Sequence, residues 1–267
     1  MRLAVVGHVE WIEFLRVEAV PKPGEIVGSN EWWAEPAGGG GVAAVELARL
    51  AGEAALYCLL GGDDLGAESR KQLEAAGVSV HSPANDAPQR RGYCYVDDVG
   101  ERTITVIGEK PRPQGGEGTL PWEELDDADG VYFTAGDAQA VRQARRARVL
   151  VATARELPTL HAAAVELDAL VASGEDDAER YQPGDLDPPP KLVVSTAGAL
   201  GGWAQPGGPY KAAAPPGPYE DAYGAGDCFA AGLTYALATG METTDALAFA
   251  SERGALALTR RGAGLTG

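Results

Sequence analysis

Residues 221–240 read DAYGAGDCFAAGLTYALATG, with the triplet Gly224, Ala225 and Gly226 directly before Asp227. Gly and Ala lack bulk, so this triplet can turn sharply and bring the backbone close to a ligand. From Asp227 onward, apolar residues recur at helical spacing: Phe229, Ala230, Leu233, Ala236 and Leu237. The triplet is therefore expected at a helix N-terminus, where free N–H groups and the helix dipole favour an anion. The alternative is that Asp227 simply caps the helix.

Short apolar strands alternate with helical segments along most of the chain. Two helices are predicted over 41–52 and 65–77, each ending at a glycine. The predicted strands are 3–7, 54–61, 78–82, 131–136, 148–153, 168–173 and 191–196. This alternation predicts an α/β fold with a doubly wound, mostly parallel sheet and helices on both faces. Ligands of such sheets bind outside the carboxyl ends of the strands.

Two regions interrupt the alternation, residues 9–36 and residues 91–107. Both read as antiparallel strands, and the second is a hairpin around the turn DDVGE at 97–101. We expect them to form one small sheet at the carboxyl edge of the main sheet, either a lid or a dimer surface. Its apolar face is expected to carry six large side chains that need cover: Trp11, Ile12, Trp32, Trp33, Tyr93 and Tyr95.

The chain of 267 residues carries 39 acidic and 22 basic side chains, a net charge of −17. Such a chain repels nucleic acid and anionic membranes, and the basic run at 142–148 reads as one solvated helix face. Its three cysteines fit neither a disulfide framework nor a zinc site. The N-terminus does not read as a signal peptide, and no stretch approaches the about 20 apolar residues of a spanning helix. We expect a cytoplasmic protein that binds neither nucleic acid nor membrane.

Five segments, in order along nearly the whole chain, resemble the ribokinase-like PfkB family of carbohydrate and nucleoside kinases. The segment DAYGAGDCF resembles the family's C-terminal signature Asp-Thr-x-Gly-Ala-Gly-Asp-x-Phe, with Ala222 in place of Thr. The other four are EPAGGGGVAAVELARLAG at 35–52, GGDDLG at 61–66, VVSTAGALG at 193–201 and LTRRGAG at 258–264. The resemblance implies a single ribokinase-like domain over 1–267, with a β-sheet lid formed by about 9–36 and 91–107.

The resemblance also implies a kinase that transfers the γ-phosphoryl group of ATP to a hydroxyl of a small sugar or sugar-like acceptor. Asp227 would then be the base, and the N–H groups around Gly224, Ala225 and Gly226 the anion hole for the transferring phosphoryl group. Thr196 and Gly198 would lie beside the nucleotide, unless they form an ordinary strand and turn. Asp221 and Gly262 match positions where many relatives bind a monovalent cation such as K⁺, and the alternative for Asp221 is a carboxylate that stabilises its loop.

Two sets of positions depart from the family pattern. Relatives often carry Asn-x-x-Glu where this chain has SGEDDAE at 173–179, so Asp177, with Glu175 as a substitute, is the candidate ligand for Mg²⁺; a solvated helix start is the alternative. Relatives also hold a sugar with an Asp and an Asn, which align here with Ile12 and Val42. The remaining candidates for the acceptor are Gly38, Gly39 and Gly40, which allow a close backbone approach, and the polar side chains of Glu10 and His8.

Three alternatives stay open. A nucleoside kinase of the same family differs in its acceptor alone, and the apolar positions do not decide between the two. A non-catalytic nucleotide- or sugar-binding protein is favoured by Gly174, Ile12 and Val42 and disfavoured by the intact Gly-Ala-Gly-Asp run. A dinucleotide oxidoreductase lacks the Gly-rich fingerprint between the first strand and a helix.

Overall fold

The computed structural model describes residues 1–116 and 118–265, and within these ranges its strands form two sheets. The larger sheet contains β1 (Leu3–Val6), β4 (Ala54–Tyr57), β5 (Val78–His81), β8 (Gly130–Phe133), β9 (Val149–Thr153), β10 (Ala169–Ser173), β11 (Val193–Thr196), β12 (Gly202–Gln205) and β13 (Gly208–Tyr210). The smaller sheet contains β2 (Glu10–Arg16), β3 (Glu31–Ala37), β6 (Arg91–Val96) and β7 (Arg102–Ile107). The seven predicted strands of the main sheet are all present, and the β12–β13 hairpin at its edge was not predicted.

The larger sheet has the order β13-β12-β11-β10-β9-β8-β1-β4-β5. The seven strands from β11 to β5 in this order pair in parallel, whereas β12 and β13 pair antiparallel. From β1 the chain first adds β4 and β5 on one side and later places β8 to β11 on the other. The direction of winding therefore reverses between β1 and β8, and an open α/β sheet binds ligands at such a reversal.

Helices cover both faces of the larger sheet, as the alternation predicts. One face packs against α1 (Gly38–Ala51), α2 (Asp64–Ala75), α5 (Ala225–Ala238) and α6 (Thr243–Ala257). The other face packs against α3 (Ala138–Ala144), α4 (Leu157–Ala163) and a short 3-10 helix, Trp122–Asp127. The expected doubly wound α/β fold is confirmed. No helix in the described ranges is long and apolar enough to cross a bilayer.

The smaller sheet has the order β3-β2-β6-β7, and its central pair, β2 and β6, is parallel rather than antiparallel. Its six large apolar side chains do not share one face, because neighbouring residues on a strand point to opposite sides. The inner face packs against α1 and the C-terminal part of the chain through Ile12, Phe14, Trp33, Cys94 and Val96. On the other face Trp32 is 61% exposed, and the edge strand β7 is exposed throughout.

The C-terminal segment closes against β3. The buried carboxylate of Glu35 accepts hydrogen bonds from the backbone N–H groups of Ala263, at 2.8 Å, and Leu265, at 3.1 Å. Tyr223, which precedes α5, packs edge-on against Phe14 of β2, and its hydroxyl accepts the N–H of Gly38 at 3.1 Å. The smaller sheet is thus attached to the C-terminal segment and to the residue that leads into α5.

The region before β8 is largely irregular. Residues 111–121 are predicted to be a loop because Pro and Gly dominate the sequence, and the described part of this stretch contains no helix or strand. Glu117 lies outside the described residues. The three cysteines Cys58, Cys94 and Cys228 are free and buried, as small apolar side chains would be.

A buried carboxylate on α1 joins this helix to the end of α6. Glu46 is fully buried, and its two oxygens lie 2.6 Å from Nε of Arg253 and 2.6 Å from Nη1 of Arg260. Because both guanidinium groups are mostly covered, removing this carboxylate would leave their charges unpaired at positions that water reaches poorly.

We expect Glu46→Gln to lower the free energy of unfolding by about 3 kcal/mol, because it leaves two partly buried arginines without a counter-charge. Urea denaturation followed by circular dichroism measures the change. Glu68→Gln is the matched control, since Glu68 pairs with Lys71 at the exposed surface and its loss should be undetectable. Equal stability of the two variants would contradict the role given to Glu46.

Candidate active site

The N-termini of α1 and α5 meet where the winding of the larger sheet reverses. Gly39, in the first turn of α1, lies against Asp227 of α5 and against Thr134, which follows β8. A methyl group at Gly39 would lie 2.8 Å from Oδ1 of Asp227 and 2.8 Å from Oγ1 of Thr134. The missing side chain therefore allows the carboxylate and the hydroxyl to approach the same point of the helix backbone.

Gly224 starts α5 in the left-handed conformation that favours glycine, at φ 72°, and it is the N-cap residue. A glycine has no side chain with which to cap the helix, and Asp227 lies inside the first turn rather than at the N-cap position. Asp227 therefore does not cap α5, and that alternative is wrong. The first N–H groups of a helix have no intrahelical acceptor, and the space beside Gly226 is open to 4 Å. This turn of α5, Gly224 to Asp227, can accept an anion.

Asp227 is half-buried at the start of α5. Burial raises the pKa of its carboxyl to about 6, and the negative charge of Glu179 adds to the increase. The positive charges of Arg102, Arg155 and Lys110 oppose the increase. A carboxyl with this pKa is ionised at neutral pH and is basic enough to accept a proton from a polarised hydroxyl.

His8 and Glu10 lie against Gly38, at the N-terminus of α1. A Cβ atom at Gly38 would be 3.2 Å from Cδ2 of His8 and 3.2 Å from Cγ of Glu10. Burial lowers the pKa of His8 well below its usual value, with Lys110 and Arg90 lowering it further, so the ring is neutral. Its Nδ1 atom is buried and makes no hydrogen bond within the described part of the chain, which leaves it able to bind a ligand.

Glu10 carries a charge that is matched by Arg90. Nε of Arg90 lies 2.8 Å from Oε1 of Glu10, and both side chains are mostly covered. Burial raises the pKa of Glu10, while Arg90 and Lys110 lower it. The structure thus brings together five predicted acceptor residues: Gly38, Gly39, Gly40, Glu10 and His8.

The residues predicted to lie beside the nucleotide are at the carboxyl end of β11. Thr196 ends β11 and donates from its hydroxyl to the carbonyl of Ala172 at 3.3 Å. Gly198 follows with a positive φ of 49°, and the Glu175 carboxylate lies beside it, with Oε2 3.3 Å from the position of a Cβ. These loops lie at the same carboxyl edge of the sheet as Asp227.

Asp221 is fully buried and both its oxygens accept backbone N–H groups, from Tyr223 and from Gly262, each at 2.8 Å. This arrangement supports the alternative in which Asp221 stabilises its loop. Burial nevertheless raises the pKa of Asp221, with Arg16 and Arg102 nearby but not in contact. A monovalent cation beside this carboxylate would offset that cost of burial.

The two predicted metal ligands are not brought together. The side chain of Asp177 is 84% exposed and pairs with Arg180 at the surface, whereas Glu175 lies beside Gly198. Over residues 1–116 and 118–265, no cluster of three or more His, Cys, Asp or Glu side chains has the geometry of a metal site. Glu175 is therefore better placed than Asp177 to meet a metal that arrives with a nucleotide.

Several polar residues of the site were not predicted. Thr134, Arg155 and Glu156 follow β8 and β9, so the rule that sites form at the carboxyl ends of strands would have found them. Lys110 and Arg112 lie in the irregular stretch after β7, where no periodic pattern marks them. Glu179 makes an ion pair with Arg155, and its negative charge raises the pKa of Asp227. It lies in the segment 173–179, in which Asp177 and Glu175 were the predicted metal ligands.

Comparison with known proteins adds a family and several relatives. A sequence model described as "pfkB family carbohydrate kinase" matches residues 1–266. An ATP-dependent ribose-1-phosphate kinase of Halopiger xanaduensis is 33% identical over 289 aligned positions, which cover 98% of this chain and 94% of that protein.

Solved structures resemble the fold closely. The ribokinase of Thermotoga maritima superposes with a TM-score of 0.75 at 20% identity, over 99% of this chain and 95% of the other. The adenosine kinase of Sinorhizobium meliloti superposes with a TM-score of 0.77 at 18% identity, over 98% of this chain and 94% of the other.

We expect the carboxyl group of Asp227 to titrate near pH 6, about two units above an exposed aspartate. Carbon-13 NMR of the side-chain carboxyl groups measures this pKa, and Asp227→Asn identifies the resonance. Glu179→Gln should lower the measured pKa, because it removes a negative charge that favours the protonated form. A titration below pH 4 would contradict the buried setting described for Asp227.

Proposed function

We propose that this chain, which belongs to the pfkB family of carbohydrate kinases, is an ATP-dependent phosphotransferase that acts on a hydroxyl of a small sugar or sugar-like acceptor. Asp227 is its proposed catalytic base. The observation that carries this assignment is the position of Asp227 in the first turn of α5, half-buried and in contact with Gly39. The acceptor hydroxyl would lie between this carboxylate and the transferred phosphoryl group.

The proposed mechanism needs little covalent help from the protein. Asp227 accepts the proton of the acceptor hydroxyl as its oxygen attacks the γ-phosphorus, and the bond to the β-phosphate oxygen breaks. The N–H groups at Gly224, Ala225 and Gly226 stabilise the negative charge of the transferred group, helped by the dipole of α5. Thr196 and Gly198 line the nucleotide side, and Gly38, Gly39, Gly40, Glu10 and His8 line the acceptor side.

The curated relative is named for its action on ribose-1-phosphate, and its similarity extends over 98% of this chain. We therefore propose ribose-1-phosphate as the first acceptor to test. The two solved structures, a ribokinase and an adenosine kinase, are at most 20% identical to this chain, so they establish the fold without choosing between a sugar and a nucleoside.

Mg²⁺ is proposed to accompany ATP, where it would neutralise charge on the phosphates. Its protein contact is Glu175, an exposed carboxylate beside Gly198, in preference to Asp177. The buried carboxylate of Asp221, next to Gly262, is the proposed position for a K⁺ ion. Such an ion would hold the loop that leads into α5.

The chain is proposed to act as one domain in the cytoplasm, with the smaller sheet as a lid over the acceptor. Support comes from Glu10, which begins β2 and also borders the acceptor residues at Gly38. The exposed Trp32 and the exposed strand β7 leave a surface through which two lids could pair in a homodimer. Neither nucleic acid nor membrane is proposed as a partner of a chain with a net charge of −17.

Asp227→Asn should lower kcat at least a hundredfold, because an amide cannot take the proton, while the KM for ATP stays within about threefold. Steady-state assays with ATP, Mg²⁺ and ribose-1-phosphate, ribose or adenosine measure both parameters. Asp245→Asn is a matched control in the first turn of α6, away from the site, and should behave as wild type. Near wild-type turnover by Asp227→Asn would mean that another group is the base.

Gly39→Ala should lower kcat/KM at least tenfold, since its methyl group needs the space now occupied by the Asp227 carboxylate and the Thr134 hydroxyl. Gly41→Ala, in the same helix, adds a methyl group that meets its nearest neighbour at 4.0 Å and should leave activity unchanged. The same kinetic assay, with a thermal melt for each variant, separates misplacement from unfolding. Equal activity of the two variants would show that Gly39 does not fix the geometry of the site.

A further inference from the structure

Two cations beside the acceptor residues share a single buried carboxylate. Lys110 and Arg112 follow β7, and both bond to Glu156, whose side chain is 2% exposed. Nζ of Lys110 lies 2.8 Å from Oε1 of Glu156, and Nη1 of Arg112 bonds to Oε2. Glu156 also accepts the hydroxyl of Thr159 at 3.2 Å, so its position is fixed from several sides.

Both cations contact the backbone directly after β8, at the reversal of the sheet. Nζ of Lys110 lies 3.5 Å from the carbonyl oxygen of Thr134, the residue whose hydroxyl meets Gly39 beside Asp227. Nη1 of Arg112 lies 3.2 Å from the carbonyl oxygen of Gly136. Lys110 therefore contacts Thr134, and Thr134 in turn borders Gly39 beside the proposed base Asp227.

The electrostatic influence of Lys110 extends over the whole acceptor side. Its positive charge lowers the pKa of Asp227, of Glu10 and of His8. The side chain of Lys110 is mostly covered, at 18% exposed, so its charge acts within the cleft and not on the outer surface.

The charges of this trio do not balance. Glu156 supplies one negative charge against the two positive charges of Lys110 and Arg112, whereas nearby Arg90 is matched by Glu10, and Arg155 pairs with both Asp176 and Glu179. The lysine and arginine side chains are 18% and 41% exposed, so donors remain accessible on both. A lysine has three N–H donors and an arginine five, and together they suit the oxygens of a phosphate group.

We propose that Lys110 and Arg112, positioned by Glu156, bind a phosphate group that the acceptor already carries. This inference rests on the proposed function and adds the residues that recognise a phosphorylated acceptor: they hold its phosphate, while a separate hydroxyl of the acceptor faces Asp227. In a chain with a net charge of −17, an anionic acceptor needs such a local excess of positive charge.

The test compares Lys110→Met and Arg112→Met with wild type, using ribose-1-phosphate and unphosphorylated ribose. Isothermal titration without ATP measures binding, and steady-state assays with ATP and Mg²⁺ measure turnover. We expect wild type to bind ribose-1-phosphate at least tenfold more tightly than ribose. Each variant should lose about 10- to 100-fold in affinity and in kcat/KM for ribose-1-phosphate, while its affinity for ribose stays within about twofold.

Lys191→Met is the matched control, because Lys191 pairs with Glu166 and Asp168 at the opposite, amino-terminal end of the strands. It should leave both substrates unaffected. The salt dependence of binding is a further readout: the affinity of wild type for ribose-1-phosphate should fall with added salt more steeply than that of Lys110→Met. If Lys110→Met does not fold, the more exposed Arg112→Met carries the test alone.

Three outcomes overturn the inference: equal wild-type binding of ribose and ribose-1-phosphate, equal losses on both substrates in the variants, or an unchanged affinity for ribose-1-phosphate. Equal losses of kcat on both substrates would place Lys110 on the transferred phosphoryl group instead. The proposed function fails separately, if wild type turns over none of the acceptors. Selective loss of ribose-1-phosphate binding in the variants would still support the phosphate site in that case.

Discussion

The contact between the glycine run of α1 and the end of β1 is the constraint on which the site depends. The N–H of Gly40 donates to the carbonyl of His8 at 3.1 Å, and a Cβ atom at Gly40 would lie 2.6 Å from that oxygen. A Cβ atom at Gly7 would in turn lie 2.8 Å from Cα of Gly40. Backbone therefore packs directly on backbone here, and only glycine fits at positions 7 and 40. This approach brings α1 close enough for Gly39 to meet Asp227 and for Gly38 to meet His8 and Glu10.

The sequence predicted the parts of the molecule that depend on local pattern. The parallel strands and helices follow from apolar periodicity, and the helix after Gly226 begins within two residues of the expected position. The site around Gly39 and Asp227 was reached through motif resemblance, because nothing local to either segment says that residues 188 positions apart approach each other. The direction of strand pairing in the smaller sheet was not predicted correctly, because the parallel contact of β2 with β6 depends on how distant segments are arranged. The sequence did not predict the cluster of Lys110, Arg112 and Glu156 for the same reason. These residues come together only when the loop after β7 packs against the ends of β8 and β9.

An acidic composition is compatible with anionic substrates because cationic side chains are placed in the cleft, where substrates carry negative charge. Arg90, Arg155 and Lys110 each bond to a carboxylate, which keeps their side chains ordered. Lys110 and Arg112 share the single carboxylate of Glu156, so this group keeps one positive charge in excess. The same carboxylates hold donors in place before a ligand arrives, and preorganised donors lose little conformational entropy when it binds.

The hydrogen bonds of Glu35 have a consequence for the order in which the protein is made. Residue 35 of the nascent chain emerges from the ribosome long before residues 263 and 265, whose N–H groups it accepts. Since chains are synthesised from the N-terminus, α1 can cover part of the inner face of β2 and β3 early, but the rest stays uncovered until almost the complete polypeptide has been made. Until the C-terminal segment has left the ribosome, the strand with Trp32 and Trp33 offers apolar side chains that chaperones can bind. Truncation near the C-terminus would leave these side chains uncovered in the finished chain.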